Sequence, residues 1–380
     1  MFKILSQAFM YEVDSIRKSY YKLFLISVFP ILSFFLIIAI FYKGVAHDMP
    51  IAVVDNDKSK LSRLLLTNLE SSPTIKIAYN TTSLKEAIQL TKEAKVYGVV
   101  IIPPHFEKDT LLQTQPRVTA MLNTQYILIG KILTSALTST VMQSSAQIEY
   151  VKNLVDLEIP DASINAVAPI GLQITPFFNT YQNYFLFLVS ALLPSIWQIF
   201  IVVATIVSFG SMFKNHKERE FFKTNDYEIK IIGKLLPFTL AYMILGIGYL
   251  FYIYGTLGWE FQGSFAVTIF GMFLTVVAYQ AVALLFFVTG FDYARTLSLG
   301  AVYTAPAFAF LGVTFPIYNM NSFALLWRDL LPISHYMELQ ISQSNYGADI
   351  FLELDKLGSI FIFWIVFIPV FFMFRKRLNR

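Results

Sequence analysis

The side chains that could perform acid–base or metal chemistry in this sequence are few and scattered. Asp55 and Asp57 lie in the segment 43–183, which also holds the histidines His47 and His105. Hydrolytic and metal sites place such groups at fixed spacings, as in H-E-x-x-H or G-x-S-x-G. Neither pattern occurs, and the chain has no cysteine. We therefore predict turn aspartates, surface histidines, no bound metal and no enzyme activity.

The sequence also lacks the chemistry of an ATPase. A P-loop needs G-x-x-x-x-G-K-[ST], whose backbone amides and lysine hold the phosphates. Lys131 and Lys234 each follow a glycine, but neither has the upstream glycine of that motif. We expect no cofactor on this chain, with any ATP and magnesium bound by a partner subunit.

The composition indicates a protein embedded in a membrane. Of the 380 residues, 14% are charged, against roughly 25% in a typical soluble domain. Hydrophobic residues make up 56% and include 37 phenylalanines, more than a soluble fold could cover. The high aromatic content also excludes a disordered chain.

Six uncharged runs are long enough to cross about 30 Å of hydrocarbon as helices. The first run covers 23–42 and the other five lie within 184–374; in order, the six are 23–42, 184–213, 235–259, 261–291, 296–321 and 357–374. The stretch 43–183 has an ordinary soluble composition. We predict an α-helical polytopic membrane protein with six transmembrane helices and an inserted α/β extracytoplasmic domain.

Lysine and arginine indicate the orientation. Outside 43–183, they are concentrated in 1–22, in the loop 214–234 and in the basic tail 375–380. The dozen within 43–183 are no objection, since long domains translocate regardless of charge. By the positive-inside rule, the N- and C-termini and the loop are cytoplasmic and the 43–183 domain lies outside. The net charge of +4 is thus a topology signal. Without a basic soluble face we expect no nucleic acid partner.

Short β-branched runs alternate with helical patterns in the inserted domain. Ser83 and Glu86 form a capping-box pattern that begins one of the helices. This alternation is typical of a small α/β module. The pattern predicts strands at 51–55, 74–79, 96–102 and 116–122, and helices at 59–70, 83–95 and 124–157.

The first 22 residues predict an amphipathic helix. Such a helix lies in the plane of a membrane surface with its apolar face in the lipid. Its apolar stripe repeats at intervals of three and four and consists of Phe2, Leu5, Phe9, Val13 and Ile16.

The loop 214–234 carries charges of both signs around two aromatic side chains, Phe221 and Phe222. A short helix with an exposed aromatic knob would suit docking into a groove on another protein. A solvated loop with interfacial phenylalanines explains the spacing equally well.

The predicted spans lack the side chains of an ion-driven transporter, which binds its ion on ionisable groups at membrane depth. Such groups occur only near the span ends, as at Asp292 and Arg295. A proton-driven pump is therefore disfavoured, and energy would have to come from another subunit. Pro194 and Pro306 are interpreted as helix kinks.

Several segments resemble the permeases of the ABC transporter type-2 transmembrane family, in its bacterial exporter branch with a large extracytoplasmic domain after the first helix. The most specific is 97–109, Tyr-Gly-Val-Val-Ile-Ile-Pro-Pro-His-Phe-Glu-Lys-Asp, which resembles the family pattern G-[VL]-[VL]-x-I-P-x-x-F. The others are 51–62, 228–237, 312–320 and 331–336.

The resemblance implies a dimer in which each permease docks a cytoplasmic ATPase, so that each transporter has two ATPase copies. Lys217 and Arg219 stand where the family usually has Gly-Thr, and Gln340 stands where it commonly has arginine. These departures suit pairing with a homologous but non-identical permease, and a second copy of the same chain is equally compatible. The ATPase-coupling contact would fall on Glu218, Glu220, Phe221 and Phe222.

The resemblance also implies an outer re-entrant segment at 315–340, which shortens the fifth span to about 296–314. Its marker residues in this sequence are Phe315, Pro316, Met320 and Pro332.

The leading hypothesis is therefore the transmembrane permease subunit of an ATP-driven ABC exporter in a bacterial cell inner membrane. Its outer domain would reach toward a periplasmic adaptor protein and an outer-membrane channel. The alternative is a non-transporting membrane anchor whose periplasmic domain recruits envelope partners.

Overall fold

The computed structural model describes residues 1–42, 44, 46–112, 114–125, 127–157, 183–224 and 226–378. The chain divides into two compact units, Val45–Pro176 and Met1–Gly44 with Phe177–Arg380. The part of the predicted domain at 158–182 lies outside the described residues, as do the last two residues of the basic tail.

The helices are, in chain order, α1 (Phe2–Arg17), α2 (Tyr20–Ile26), α3 (Val28–Phe41), α4 (Lys60–Glu70), α5 (Leu84–Lys92), α6 (Phe106–Leu111), α7 (Ile127–Leu157), α8 (Tyr184–Lys214), α9 (Glu218–Phe221), α10 (Tyr227–Leu250), α11 (Phe265–Val288), α12 (Tyr293–Thr304), α13 (Ala307–Phe310), α14 (Ser322–Asp329), α15 (Pro332–Ile341), α16 (Ile350–Ile362) and α17 (Phe367–Leu378). The strands are β1 (Met49–Asp55), β2 (Ile75–Thr81), β3 (Gly98–Ile102) and β4 (Thr119–Leu122).

The unit Val45–Pro176 contains one sheet with the strand order β2-β1-β3-β4, in which only β4 is antiparallel to its neighbour. Parallel neighbours need a crossover connection, which α4 and α5 supply. Because side chains alternate across a strand, Ile51 and Val53 pack in one core, whereas Ala52 and Val54 pack in a second one. The strands and helices predicted here are confirmed with small shifts at their ends, and the short α6 is an addition.

The turn after β1 shows what its aspartates do. Asp55 accepts hydrogen bonds from the backbone amides of Asp57 and Lys58, at 3.0 and 2.9 Å, and from Ser62 Oγ at 2.8 Å. Asp57 accepts the backbone amide of Glu107 at 3.0 Å, close to the start of α6. Free amides at a helix start need such acceptors, so the prediction of turn aspartates is confirmed.

Among the described residues, five helical stretches are long and apolar enough to cross a membrane, namely Tyr20–Phe41, Phe185–Lys214, Tyr227–Thr256, Phe265–Val288 and Ile350–Leu378. The first is interrupted at Ser27. Pro30 has no N–H and therefore cannot bond the carbonyl of Ile26, where α2 ends. The missing N–H of a proline has the same effect in the predicted span at 296–314.

That predicted fifth span is two helices. α12 ends at Thr304, and α13 begins after Pro306. Pro306 cannot donate to the carbonyl four residues earlier, so the helical ladder stops there. The interpretation of Pro306 as a kink inside one helix is therefore wrong. A sixth crossing of the membrane stays a prediction.

Pro194 lies inside α8 and leaves the carbonyl of Ser190 without its usual donor. Gln340 on α15 donates to that oxygen through Nε2 at 3.1 Å. Its Oε1 accepts the hydroxyl of Tyr249 at 2.7 Å, and the Tyr336 hydroxyl lies 3.1 Å from that of Tyr249. The glutamine that departs from the resembled family's arginine thus joins α8, α10 and α15 without a charge.

Helix α1 packs closely against α10. Its buried face consists of Ala8, Glu12 and Ile16. The approach depends on Gly233, because a Cβ there would lie 2.7 Å from Ala8 Cβ and 2.8 Å from the carbonyl oxygen of Leu5. Small residues at helix contacts allow such close packing.

We predict that Gly233→Ala lowers the thermal stability of the purified chain, because the added methyl group overlaps Ala8 and the backbone of Leu5. Overpacking of this kind costs about 1–3 kcal/mol. Gly248 lies in the same helix, and a Cβ there would meet no atom within 4 Å. Gly248→Ala is therefore the matched control and should not lower the melting temperature in the same detergent. Equal melting of the two variants would contradict the close contact.

Candidate functional site

A single helical turn, α9, carries most of the predicted coupling residues. A helix this short is not stable by itself, so its neighbours must hold it. Phe222, which follows it, is 4% exposed, and its ring centroid lies 6.0 Å from Tyr227 and 5.9 Å from Phe374. Burying one phenylalanine contributes about 1.5–3 kcal/mol, which anchors the end of α9.

The interpretation of Phe221 and Phe222 as an exposed aromatic knob is wrong. Phe222 is buried, and Phe221 is half-buried with its ring centroid 4.7 Å from that of Tyr11 on α1. The pattern of the loop does not reveal this, because Tyr11 and Phe374, which cover Phe221 and Phe222, come from distant parts of the sequence. The aromatic side chains are therefore the base of α9.

The exposed side chains of this region are charged. Lys217, Arg219 and Glu220 are exposed, and we call them the α9 rim. Glu218 is half-buried, and among the described residues its Oε2 atom has no hydrogen-bond partner. Of the two acidic coupling residues, Glu220 is thus the one available to a partner.

A buried ionic cluster next to α9 joins α1, α2, α8 and α10. Glu12 Oε1 accepts hydrogen bonds from Lys22 Nζ at 2.8 Å and from Ser208 Oγ at 2.9 Å, while Glu12 Oε2 pairs with Lys234 Nζ. Lys22 Nζ also donates to Ser15 Oγ at 2.8 Å. We call these five residues the Glu12 cluster.

The Glu12 cluster holds two lysines and one carboxylate, all with side chains at most 4% exposed. A buried ion costs several kcal/mol unless a partner compensates it. The single carboxylate balances only one of the two positive charges. The remaining charge depends on hydroxyl groups and aromatic faces, and Glu12 is the one anion that holds the cluster together.

Aromatic faces surround Lys234 in particular. Its Nζ lies 5.6 Å from the ring centroid of Tyr11, 5.3 Å from that of Phe209 and 5.7 Å from that of Phe221. Such cation–π contacts contribute about 2 kcal/mol when they are desolvated. Burial first, and then nearby carboxylates, raise the pKa of the Tyr11 phenol, which therefore stays neutral beside the ion pair.

The predicted site does not include Glu12, and neither Lys22 nor Lys234 is predicted to bind a buried carboxylate. One signal for Glu12 exists. It stands four residues from both Ala8 and Ile16, on the face that α1 buries. A carboxylate on an apolar helical stripe indicates a buried partner. Which lysines meet it depends on how α2 and α10 pack.

The predicted membrane-surface stripe of α1 is divided between the protein and its surroundings. Phe2 is 83% exposed, whereas Ile16 belongs to the hydrophobic core. Leu5, Phe9 and Val13 are half-buried. One part of the stripe thus packs on protein, and the location of the rest in lipid stays a prediction.

The predicted re-entrant residues do not converge on one site. Phe315 and Pro316 are exposed, and Met320 is half-buried just after the short turn Ile317–Asn319. Pro332 is buried in the first turn of α15, where its missing N–H costs no helical bond. These residues mark the ends of short helices.

The acidic and histidine side chains of the described part of the chain are dispersed. No group of three His, Cys, Asp or Glu residues there is arranged to hold a metal ion. His47 and His105 are exposed, which confirms the prediction of surface histidines.

Comparison with protein families gives a match over most of the chain. A family model described as ABC-2 family transporter protein matches residues 22–374. The matched range begins at Lys22 and so includes α9 and its base but leaves out α1. Comparison with curated proteins gives no match.

Glu12→Gln is expected to destabilise the chain by about 3–5 kcal/mol, because it leaves two buried lysines without a counter-charge. Lys22→Met is the matched control: it removes a charge from the same cluster but leaves one lysine for one carboxylate, so its loss should be clearly smaller. Melting of both purified variants in one detergent measures the difference. If Lys22→Met melts as low as Glu12→Gln, the assignment of Glu12 as the central anion is wrong.

Proposed function

The chain belongs to the ABC-2 family of transporter proteins and is the permease component of an ABC transporter, and on this premise we propose that it forms one half of a dimeric exporter. The family implies an ABC ATPase as partner. In the proposal, two ATPase copies drive one pair of permeases, and the second permease is a copy of this chain or a homologue.

The build of α9 is the observation that carries the proposal. A docking element needs exposed side chains that can contact a partner, and a rigid base that holds them in place. The α9 rim supplies exposed charges, and Phe222 anchors the base against Tyr227 and Phe374. We infer that the ATPase contacts the α9 rim, with Glu220 as its acidic contact and Phe221 and Phe222 as support.

The base of α9 also connects the proposed docking surface to the membrane-length helices. Tyr227 begins α10, and Phe374 lies in the last helix. Side chains of the first two turns of α10, Lys230 and Lys234, contact Phe221. A push on α9 would therefore act directly on α10, which continues through Thr256 as one apolar helical stretch.

The orientation of the permease in this proposal follows from the charge distribution. Lysine and arginine concentrate in 1–22, 214–234 and 375–380, which would face the cytoplasm and the ATPase. The sheet unit would then lie outside a bacterial inner membrane, where it would meet a periplasmic adaptor and an outer-membrane channel. A non-transporting anchor is the competing function, and it would have no use for an ATPase.

The test is retention of the ATPase during purification. The permease is co-expressed with its ATPase in membranes of the source organism and purified by a tag on the permease. Glu220→Lys reverses a charge on the α9 rim and should lower the retained ATPase several-fold, because facing charges would repel. Glu70→Lys reverses an exposed charge on α4 and is the matched control.

The outcomes separate the competing functions. Loss of the ATPase in Glu220→Lys, with full retention in Glu70→Lys, supports docking at the α9 rim. Retention in both variants would move the docking surface elsewhere on the permease. Absence of any ATPase from the wild-type preparation would instead favour the membrane anchor.

A further inference from the structure

Within the Glu12 cluster, Lys234 is the residue whose ammonium lies against α9. Its Nζ pairs with Glu12 and faces the Phe221 ring at 5.7 Å from the centroid. Lys22, the other lysine of the cluster, bonds Glu12 and Ser15 instead. The two lysines therefore share one carboxylate but have different surroundings.

We propose that Lys234 is a positioning residue that fixes α9 against α1 and thereby sets the place of the ATPase contact. This inference rests on the proposed function only for its last clause. The positioning of α9 itself stands on contacts among this chain's own residues.

Helix α9 has two attachments of different kinds. At Phe222 the attachment is apolar, through Tyr227 and Phe374. At Phe221 it is cationic, because Lys230 Nζ donates to the Phe221 carbonyl at 2.6 Å and Lys234 faces the ring. Lys230 and Lys234 are one turn apart on α10, so they present their charges on the same face.

The cationic attachment reaches α1 as well. The Phe221 and Tyr11 rings lie 4.7 Å apart, and the ammonium of Lys234 faces both of them. Glu12 comes from the same helix as Tyr11 and holds that ammonium in place. Helix α1 thus contacts α9 through one ring and secures the cation that both rings share.

Replacing Lys234 or Lys22 by methionine separates their roles. Lys234→Met keeps an unbranched side chain of similar length but removes the cation, and Glu12 keeps Lys22 and Ser208 as partners. Lys22→Met removes the other cation, and Glu12 keeps Lys234 and Ser208. Each variant leaves one lysine for one carboxylate, so the two substitutions are matched in charge and differ in the contact with α9.

Hydrogen exchange followed by mass spectrometry measures the positioning directly. In α9 and just after it, the amides of Phe221 and Phe222 donate to the carbonyls of Lys217 and Glu218 at 3.0 and 2.8 Å. We expect Lys234→Met to speed exchange in a peptide that covers 217–223 at least tenfold, and Lys22→Met to change it less than twofold. Peptides from α8 serve as the internal reference for general loosening.

Equal acceleration in both lysine variants, or none in either, would overturn the proposal. Phe221→Leu provides a second variant that leaves the ion pair with Glu12 untouched. It should also speed exchange at 217–223, and adding Lys234→Met should then have little further effect. Additive acceleration in the double variant would show that Lys234 does not act through the Phe221 ring and would equally overturn the proposal.

ATPase retention separates this inference from the proposed function. Faster exchange in Lys234→Met together with a several-fold loss of ATPase supports both. Faster exchange with full retention supports the positioning of α9 by Lys234 and places the ATPase elsewhere. Loss of ATPase in Glu220→Lys without any effect of Lys234→Met on exchange refutes the positioning role and leaves the docking site standing.

Discussion

One carboxylate has to hold two buried lysines, and the helical unit is arranged around this constraint. The Glu12 carboxylate accepts hydrogen bonds from Lys22 of α2, Lys234 of α10 and Ser208 of α8. Because leaving a buried ion unpaired is far more costly than losing a surface pair, the four helices that supply these groups cannot separate independently. The positive charge left over is consistent with the three aromatic faces around Lys234.

The close packing of α1 and the ion pair depend on each other. Gly233 directly precedes Lys234, and its missing side chain lets the backbone of α1 approach α10. That approach brings Glu12 within reach of Lys234, and the aromatic rings of Tyr11 and Phe221 then cover the pair. Gly233 and the short helix α9 thus form one structural feature with Glu12, which is distant from them in sequence. This feature lies at the start of the membrane-length helix α10.

Local patterns predicted most of the elements, and contacts between distant segments account for what was missed. Strand alternation, the Ser83 capping box and the long apolar runs depend on neighbouring residues, so most of the predicted helices and strands are confirmed with shifted ends. The burial of Phe222 depends partly on Tyr227, five residues further on, and partly on Phe374 of α17, which no window around residue 222 contains. Lys22 and Lys234 were recognised as charges at span ends, but their pairing required the packing of α1. Pro306 shows a different limit of prediction from sequence. A proline in a helical pattern is compatible with both a kink and a helix end, so the residue type alone does not distinguish them.

The interior of the bundle handles polar groups in another way. Gln340 satisfies the carbonyl that Pro194 leaves free and accepts the hydroxyl of Tyr249, all through neutral groups. Breaking a neutral hydrogen bond costs about 1 kcal/mol net, and leaving its buried partner unsatisfied about 1–3, which is less than unpairing a buried ion. A change in bundle shape would therefore break the bonds of Gln340 before it separated the Glu12 cluster. In a permease that receives its energy from an ATPase, the ionic cluster beside α9 would then move as one body, and the neutral contacts of Gln340 would be the ones exchanged.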